Sequence, residues 1–421
     1  MKRILAVFPT MWDARQLEAC RASWGSRFDV ELGEPDDDRC PWDYDVVGYI
    51  DRLATERGGR IDGIFSSSDY PGAAVAAAVS RRLGLPGSPA EAVIRCHHKF
   101  HSRISQREAA PEAVPWFEWV DLSGEGAEGL RFPCFVKPVK GFFSAFTRRV
   151  ESASQLREFL ARPGLRRFMR ECIPMYNRLA GALSTLERDG NGFIAEGILR
   201  GRQATVEGFV FRGEPEAIGV VDSSLHPETR GFTRFDYPSS LPDGVQRRME
   251  ELARRLARHS GLDQTMFNIE MFYDKSADAL SVIEINPRMA GQFADLYEKV
   301  DGTNGYEIAL ALAAGERPAL RRRKGRFGAA SSLPLRVYEP VRVVEAPGEA
   351  EIRAAESVAP GTLVWSHCRK GQTLADFESG QDGFSYRYAV VNAGAPTGSE
   401  LRSLLDHVVQ RLGFRFERAS S

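Results

Sequence analysis

Two consecutive segments decide the fold, and they read Phe267-Asn268-Ile269-Glu270-Met271-Phe272-Tyr273 and Ser281-Val282-Ile283-Glu284-Ile285-Asn286-Pro287-Arg288. Both are rich in β-branched and aromatic residues, and a short polar stretch at 274–278 joins them, which predicts a β-hairpin. Side chains alternate between the two faces of a strand. A turn centred near residue 277 therefore places Glu270 opposite Glu284 and Asn268 opposite Asn286.

Two carboxylates that face each other on neighbouring strands repel, and they destabilise the sheet unless their charge is compensated. A hard divalent cation can do this, because Mg²⁺ takes oxygen ligands from one or two carboxylates and the rest from water and substrate phosphates. The alternative is that Glu270 and Glu284 lie on a solvated outer face. Pro287 ends the second strand, so Arg288 projects at its edge, where a guanidinium can hold an anion.

Strands and helices alternate over the first 95 residues, which predicts a small open α/β domain with a parallel sheet. We predict strands at 3–8, 28–32 and 61–66 and helices at 15–24, 44–57 and 72–83. No GxGxxG follows the first strand, so the dinucleotide-binding fingerprint is absent. A single helix is expected over 90–109.

From about residue 96 the pattern becomes antiparallel, with strands predicted at 132–138, 146–150, 192–197, 202–211 and 216–221 and a helix at 245–259. The stretch 223–238 mixes cationic and aromatic side chains. We interpret it as a substrate-lining loop in which Arg230 or Arg234 holds a carboxylate; the alternative is a surface loop with solvated arginines. Gly291, after the hairpin, is expected to border the same pocket.

Taken together, these segments resemble the ATP-grasp superfamily, in particular its carboxylate–amine ligases and among them the L-amino-acid ligases. The run Glu284-Ile285-Asn286-Pro287-Arg288 is similar to that family's second metal-ligand motif. The resemblance implies that Glu270, Glu284 and Asn286 hold one or two Mg²⁺ ions, for which Mn²⁺ can substitute, at the phosphates of ATP. It also implies that Arg288 is catalytic and neutralises the transferring phosphate.

The same resemblance implies an α/β (α+β) fold with three parts. An N-terminal α/β domain occupies 1–95, and a two-subdomain ATP-grasp core occupies 96–318, with its small subdomain at about 132–200. A lid-like α+β domain follows at 319–421. This last domain is expected either to close over the site or to form a homodimer contact.

Two lysines match the family's ATP-contacting positions, namely Lys99 and Lys137, and Lys137 is also assigned a catalytic role. Only 8 of the 56 basic residues are lysine, so a lysine at such a position carries weight. The segment 139–146 resembles the family's phosphate-covering loop, in which backbone N–H groups and the hydroxyl of Ser144 would cradle phosphates.

The segment 194–203 resembles the family's hinge between subdomains, where the chain reads the adenine base. The resemblance assigns this contact to Glu196 and to the backbone of Gly197 and Leu199. Gln203 stands where the family often has a ribose-binding glutamate, and its amide can still accept a hydrogen bond from a hydroxyl group.

The implied activity is that of an ADP-forming ligase, which activates a small carboxylate such as an amino acid as an acyl phosphate and couples it to an amine. One alternative is ATP-dependent carboxylation of the biotin-carboxylase type, although the chain has no biotinyl-carrier Met-Lys-Met motif. The other is a non-catalytic ATP-binding module. The complete set of lysines, glutamates, Asn286 and Arg288 argues against that second alternative.

The balanced charge and the lack of a long apolar stretch lead us to expect small molecules as the binding partners of this protein. The 56 basic and 57 acidic residues give a net charge of −1, which argues against a nucleic-acid or anionic membrane partner. No stretch approaches the ~20 apolar residues that span a bilayer. The six cysteines form no CxxC pair, so we expect free thiols in a reducing compartment and a cytoplasmic protein.

Overall fold

A computed structural model describes the whole chain except residues 35–43, 142–144, 230, 375–384 and 420–421. The N-terminal part contains a parallel sheet in the order β2-β1-β3, as the sequence predicts. Its elements are β1 (Lys2–Ala6), α1 (Asp13–Trp24), β2 (Phe28–Leu32), α2 (Val46–Arg57), β3 (Gly63–Phe65) and α3 (Gly72–Leu83). Loops at the carboxyl ends of such strands are where α/β folds place ligand-binding residues.

The predicted helix over 90–109 is wrong in one respect, since it is two helices, α4 (Ala90–His97) and α5 (Lys99–Ala109). His98 between them is extended, and its Nδ1 accepts a hydrogen bond from the backbone N–H of His101, which caps α5. The backbone N–H of Lys99 donates to the carbonyl oxygen of Val139 at 2.8 Å. The break therefore places Lys99 at the first turn of α5, against Val139.

A small antiparallel sheet follows along the chain, with its strands in the order β4-β7-β5-β6. Amphipathic helices cover it and bury a core of Leu, Phe and Ile side chains. Its elements are β4 (Phe117–Asp121), β5 (Cys134–Pro138), β6 (Arg148–Val150), α6 (Ala153–Leu160), α7 (Pro163–Leu183) and β7 (Gly192–Glu196).

The large sheet has eight strands in the order β12-β11-β8-β9-β10-β13-β16-β15. On one face lies α8 (Asp243–His259), which buries Val245, Met249, Leu252 and Leu256 as its periodicity predicts. On the other face lie α9 (Ala294–Asp301) and α10 (Gly305–Ala313). The first five strands of this sheet in chain order are β8 (Arg202–Phe211), β9 (Glu214–Leu225), β10 (Phe232–Tyr237), β11 (Thr265–Asp274) and β12 (Ala279–Asn286).

The sheet continues into the C-terminal part, because β13 pairs with β10. The remaining elements are β13 (Ala329–Val337), β14 (Val341–Glu345), α11 (Glu349–Glu356), β15 (Leu363–Ser366), β16 (Tyr386–Ala395), α12 (Gly398–Arg411) and β17 (Arg415–Arg418). None of the helices in the described part of the chain is both long and apolar enough to cross a bilayer.

The stretch 223–238 is not the long loop that its mixed composition suggested. Residues up to Leu225 extend β9, and Phe232–Tyr237 forms β10, which pairs with β9 and with β13. Phe235 and Tyr237 are buried against the α9 side of the sheet, and burial of these aromatic side chains favours the strand. Arg234 is consequently a strand residue.

Candidate active site

The hairpin register is confirmed: Glu270 is the direct partner of Glu284, and Asn268 is the partner of Asn286, although a bulge follows Glu270. The two asparagines contact each other, with Asn286 Nδ2 donating to Asn268 Oδ1 at 3.4 Å. On the neighbouring strand β8, Gln203 donates from Nε2 to Glu270 Oε2 at 2.9 Å. These oxygen-rich side chains share one face of the sheet.

The two facing carboxylates are not equivalent. Burial and the negative charge of Glu284 raise the pKa of Glu270. Burial also disfavours the charged form of Glu284, but the positive charges of Lys99, Lys137 and Arg288 outweigh it and lower its pKa. Lys99 Nζ lies 3.6 Å from Glu284 Oε2. Lys99 is thus within ion-pair distance of Glu284, and the charges of Lys137 and Arg288 act on both glutamates.

The donor set suits a hard cation that brings part of its coordination from elsewhere. Glu270 and Glu284 supply carboxylate oxygens and Asn286 an amide oxygen, which are ligand types that Mg²⁺ prefers. Within the described residues, no group of three or more His, Cys, Asp and Glu side chains is arranged to hold a metal. A metal at the hairpin would therefore need further oxygens, such as those of phosphates.

Lys137, on β5, forms a buried ion pair with Glu196 at the end of β7, with 2.6 Å between Nζ and Oε1. Arg103 of α5 donates from Nε to the other carboxylate oxygen, Oε2, at 2.9 Å. Burial opposes ionisation of Glu196, but Arg103 and Lys137 outweigh it and lower its pKa. Sequence reasoning missed Arg103, since the polar side of a helix gives no signal for a fully buried arginine.

The chain leaves β7 into the predicted adenine-reading hinge. The backbone N–H of Gly197 donates to the carbonyl oxygen of Trp116 at 3.0 Å, and a Cβ at this glycine would lie 3.1 Å from the Trp116 indole nitrogen. Leu199 is half-buried in the segment that follows. The hinge therefore joins Glu196 at one end to Gln203 and β8 at the other.

Arg288 follows the hairpin, and its Nε lies 3.4 Å from Oδ1 of Asp69, in the loop after β3. Lys140 Nζ lies 3.4 Å from Oδ2 of the same carboxylate, and His97 Nε2 lies 3.8 Å from Oδ1. Neither Asp69 nor Lys140 was among the predicted site residues. The signals that could have found them are the position of Asp69 after a parallel strand and the scarcity of lysine in this chain.

Gly291 is closely surrounded by Tyr306 and Trp12, so a side chain at this position would be crowded. A Cβ there would come within 3.0 Å of the Tyr306 hydroxyl oxygen and 3.2 Å of two Trp12 atoms. Its carbonyl oxygen accepts a hydrogen bond from Gln16 Nε2 at 3.0 Å. The loop after the hairpin is thus fastened to the N-terminal part of the chain.

Arg234, a predicted substrate contact, is not brought to this group. Arg234 pairs with Asp236 at 2.7 Å. Gln203 pairs with Ser223, and Ser223 pairs with Phe235, so these three side chains lie on the same face of the sheet. Arg234 precedes Phe235, and because side chains alternate along a strand it lies on the other face. Ser144 and Arg230 lie outside the described residues.

Residues 130–295 match the sequence profile of the ATP-grasp domain. This segment contains strands β5, β6 and β7 of the small sheet, the hinge and the carboxylate hairpin. Residues 130–295 are therefore an ATP-grasp domain, and the superfamily resemblance drawn from the sequence is confirmed.

Solved structures with the same fold span the whole chain. An L-amino acid ligase from Bacillus licheniformis has a TM-score of 0.73 at 16% identity, covering 100% of this chain and 99% of the ligase. A phosphoribosylglycinamide synthetase from Anaerococcus prevotii gives 0.65 at 13% identity, covering 99% and 100%. A biotin carboxylase from Campylobacter jejuni gives 0.63 at 15% identity, covering 99% and 92%. No curated protein sequence matches the chain.

Proposed function

We propose that this protein is an ADP-forming, ATP-dependent ligase that activates a small carboxylate as an acyl phosphate and couples it to an amine. The observation that carries the proposal is the pair Glu270 and Glu284, directly opposite each other on β11 and β12, with Lys99 3.6 Å from Glu284. Phosphoryl transfer depends on positioning and charge neutralisation more than on covalent chemistry by the protein.

Each side chain of the site has a role in this reaction. Lys99 and Lys137 bind the ATP phosphates, and Glu196, Gly197 and Leu199 contact the adenine. Gln203 contacts the ribose. Ser144 belongs to the loop assigned to the phosphates. Mg²⁺, or Mn²⁺, would be held by Glu270, Glu284 and Asn286, and when bound it neutralises phosphate charge and orients the transferring group.

The reaction has two steps. A substrate carboxylate oxygen attacks the γ-phosphorus of ATP, its new bond to phosphorus forms as the bond to the β-phosphate oxygen breaks, and ADP leaves. The amine then attacks the acyl carbon, inorganic phosphate leaves with the carbon–oxygen electron pair, and the amine nitrogen loses a proton. Arg288 and Lys137 stabilise the charge on the phosphoryl group during the first step. Water must be excluded, since it would hydrolyse the acyl phosphate.

An amino acid is the proposed carboxylate, and the similarity to an L-amino acid ligase over the full length of both chains supports this choice. Small-molecule carboxylates and amines are the proposed partners, with no nucleic acid or membrane. We further propose a cytoplasmic location and keep the homodimer as the assembly to test. Arg230, Arg234 and Gly291 stay predictions as substrate contacts.

Carboxylation is a second candidate, because a biotin carboxylase shares the fold over 99% of the present chain. In that reaction bicarbonate would take the place of the organic acid in attacking ATP. Bicarbonate dependence of ADP formation separates the two functions. A non-catalytic ATP-binding module would bind Mg-ATP but form no ADP with either acid.

The test measures ADP release from Mg-ATP across a panel of amino acids and other small carboxylates, with hydroxylamine present to trap acyl phosphates as hydroxamates. We expect a hydroxamate with at least one acid and none with the Glu284→Ala variant. Glu251→Gln, an exposed substitution on α8, serves as the control. ADP without a hydroxamate, but with bicarbonate dependence, would favour carboxylation. ATP binding without ADP from any acid would contradict the ligase proposal.

A further inference from the structure

Asp69 brings together three parts of the chain that are distant in sequence. It lies between β3 and α3, at the carboxyl end of the N-terminal parallel sheet. Its two carboxylate oxygens lie 3.4 Å from Arg288 Nε after the hairpin and 3.4 Å from Lys140 Nζ after β5. The N-terminal domain thus contributes a negative charge between two cations of the ATP-grasp core.

The charges in this cluster are strongly coupled. Burial of Asp69 would raise its pKa, but the positive charges of Lys140 and Arg288 hold the pKa well below its usual range. Burial lowers the pKa of the neighbouring His97 ring to about 3, so this ring is neutral at neutral pH. The ammonium group of Lys140, which is almost fully buried, also lies 4.6 Å from the centre of the Tyr70 ring. A buried lysine next to an ionised carboxylate and an aromatic face is held in one place rather than left to move in solvent.

The closest approach of Arg288 to Asp69 is the 3.4 Å between Nε and Oδ1, which is an ion-pair distance without a hydrogen bond. Nη1 lies 3.4 Å from the carbonyl oxygen of Met289, which further limits rotation of the side chain. Among the described residues, Asp69 is the one carboxylate within ion-pair distance of Arg288. The attraction between the two charges favours an orientation in which the Nε side of the planar Arg288 guanidinium faces Asp69, so that another edge can face an anion.

We propose that Asp69 is a positioning residue: it orients Arg288, and through Lys140 the start of the phosphate-covering loop, for the γ-phosphate of ATP. This inference rests on the proposed function, since it assigns Arg288 to the transferring phosphate. It also makes the N-terminal domain part of the phosphoryl-transfer machinery. A residue that acts in this way affects the triphosphate end of the nucleotide and leaves binding of the base and ribose unchanged.

The first test uses calorimetry with Mg-ADP and with the non-hydrolysable triphosphate Mg-AMP-PNP, so it needs no turnover. In the Asp69→Asn variant, which keeps the shape and removes the charge, we expect Mg-ADP affinity to stay within about twofold of wild type. Binding of Mg-AMP-PNP should weaken about tenfold, since each charge-assisted contact to phosphate is worth roughly that factor. Asp51→Asn, an exposed change on α2 in the same domain, is the matched control.

The second test is kinetic and uses the acid that supports ADP formation. Because displacement by about 1 Å can cost on the order of 100-fold in rate, Asp69→Asn should lower kcat by roughly 10- to 100-fold. The KM for ATP should rise by no more than the roughly tenfold loss expected for Mg-AMP-PNP binding. Asp69→Asn added to Arg288→Lys should cause little further loss, since the two residues act as one unit.

The outcomes separate this inference from the proposed function. Additive losses in the double variant, or equal weakening of Mg-ADP and Mg-AMP-PNP, would show a merely structural role for Asp69 and overturn the inference. If wild type forms no ADP with any acid, the proposed function fails, and calorimetry alone decides the role of Asp69. Should circular dichroism show Asp69→Asn to be unfolded, Asp69→Glu replaces it. Since its extra methylene displaces Arg288, the same selective loss of triphosphate binding is expected.

Discussion

The ammonium group of Lys137 lies 2.6 Å from carboxylate oxygen Oε1 of Glu196, and the side chains are only 6% and 4% exposed. Arg103 binds the other oxygen of that carboxylate, so one negative charge is shared by two buried cations. The group joins β5, β7 and α5. These contacts hold Lys137 of β5 next to Glu196, the last residue of β7, after which the hinge begins.

Replacing Lys137 by methionine should weaken Mg-ATP binding at least tenfold and lower the free energy of unfolding by about 1–3 kcal/mol. The second effect is smaller than the ~3–5 kcal/mol typical of a broken buried pair, because Arg103 still neutralises Glu196. Calorimetry and urea unfolding measure the two effects. The control is Lys275→Met, an exposed lysine in the hairpin turn. Unchanged ATP affinity in Lys137→Met would contradict its assignment to the phosphates.

Replacing Glu270 by glutamine should have opposite effects on stability and on activity. The substitution removes the repulsion between facing carboxylates, so the metal-free protein should gain roughly 0.5–1 kcal/mol in its free energy of unfolding. ADP formation should fall at least 100-fold, on the order of what a lost metal contact costs. Thermal unfolding with and without Mg-ATP is the measurement, since a ligand that binds only the folded state raises Tm. A metal-free variant less stable than wild type would rule out this account of the pair.

Glu207 on β8 predicts a pH dependence of stability. Its carboxylate accepts hydrogen bonds from the Ala290 N–H and the Tyr297 hydroxyl, yet burial outweighs them and raises its pKa from 4.5 to about 7. The folded state thus keeps a proton that the unfolded state loses between these values. The stabilisation is fully present below pH 4.5 and is lost as pH rises through about 7.

The Glu207→Gln variant removes this titration, so its stability relative to wild type should increase by about 2–3 kcal/mol between about pH 4.5 and about pH 8. Urea unfolding at several pH values gives the difference. Glu118→Gln, at an exposed glutamate on β4, is the control for the substitution itself. A constant difference between Glu207→Gln and wild type would show that folding does not raise the pKa of Glu207.

The carboxylate hairpin could be read from the sequence because its information is local. Strand periodicity and one short turn determine which residues face each other, and the Glu270–Glu284 pairing follows from them. The parallel order of the N-terminal sheet is local in the same sense, since short βαβ units dictate it. The first and last residues of the strands and helices that have such local signals were predicted to within a few residues.

Other features depend on contacts between distant segments, and for that reason the sequence did not reveal them. Asp69 and Lys140 are 71 residues apart and meet only when the N-terminal domain packs against the core. The break at His98 is stabilised by the contact of Lys99 with Val139. The strand that contains Arg234 forms because β13, nearly 100 residues later, supplies its second neighbour. The secondary-structure propensity of a segment does not depend on which distant segment it will contact, so it cannot predict such partners.

Gly291 and Gly181 make a matched pair for the last prediction, since alanine should have opposite effects at the two positions. Gly181 lies inside α7, and a Cβ added there would have no neighbouring atom within 4 Å outside its own helical turn. Gly181→Ala should therefore stabilise the protein by about 0.5–1 kcal/mol. At Gly291 the new methyl group would meet Trp12 and the Tyr306 hydroxyl at 3.0–3.2 Å.

Gly291→Ala should therefore cost roughly 1–3 kcal/mol, as overpacking of a dense region does, because Trp12 must move. Trp12 also packs edge-on against Trp365 of β15, with 4.8 Å between ring centroids, so its displacement disturbs the contact with the C-terminal strands. Urea unfolding and intrinsic tryptophan fluorescence measure both consequences. The prediction would be contradicted if Gly291→Ala stabilised the protein as much as Gly181→Ala and left the tryptophan fluorescence unchanged. The loop after the hairpin would then accommodate the methyl group without moving Trp12.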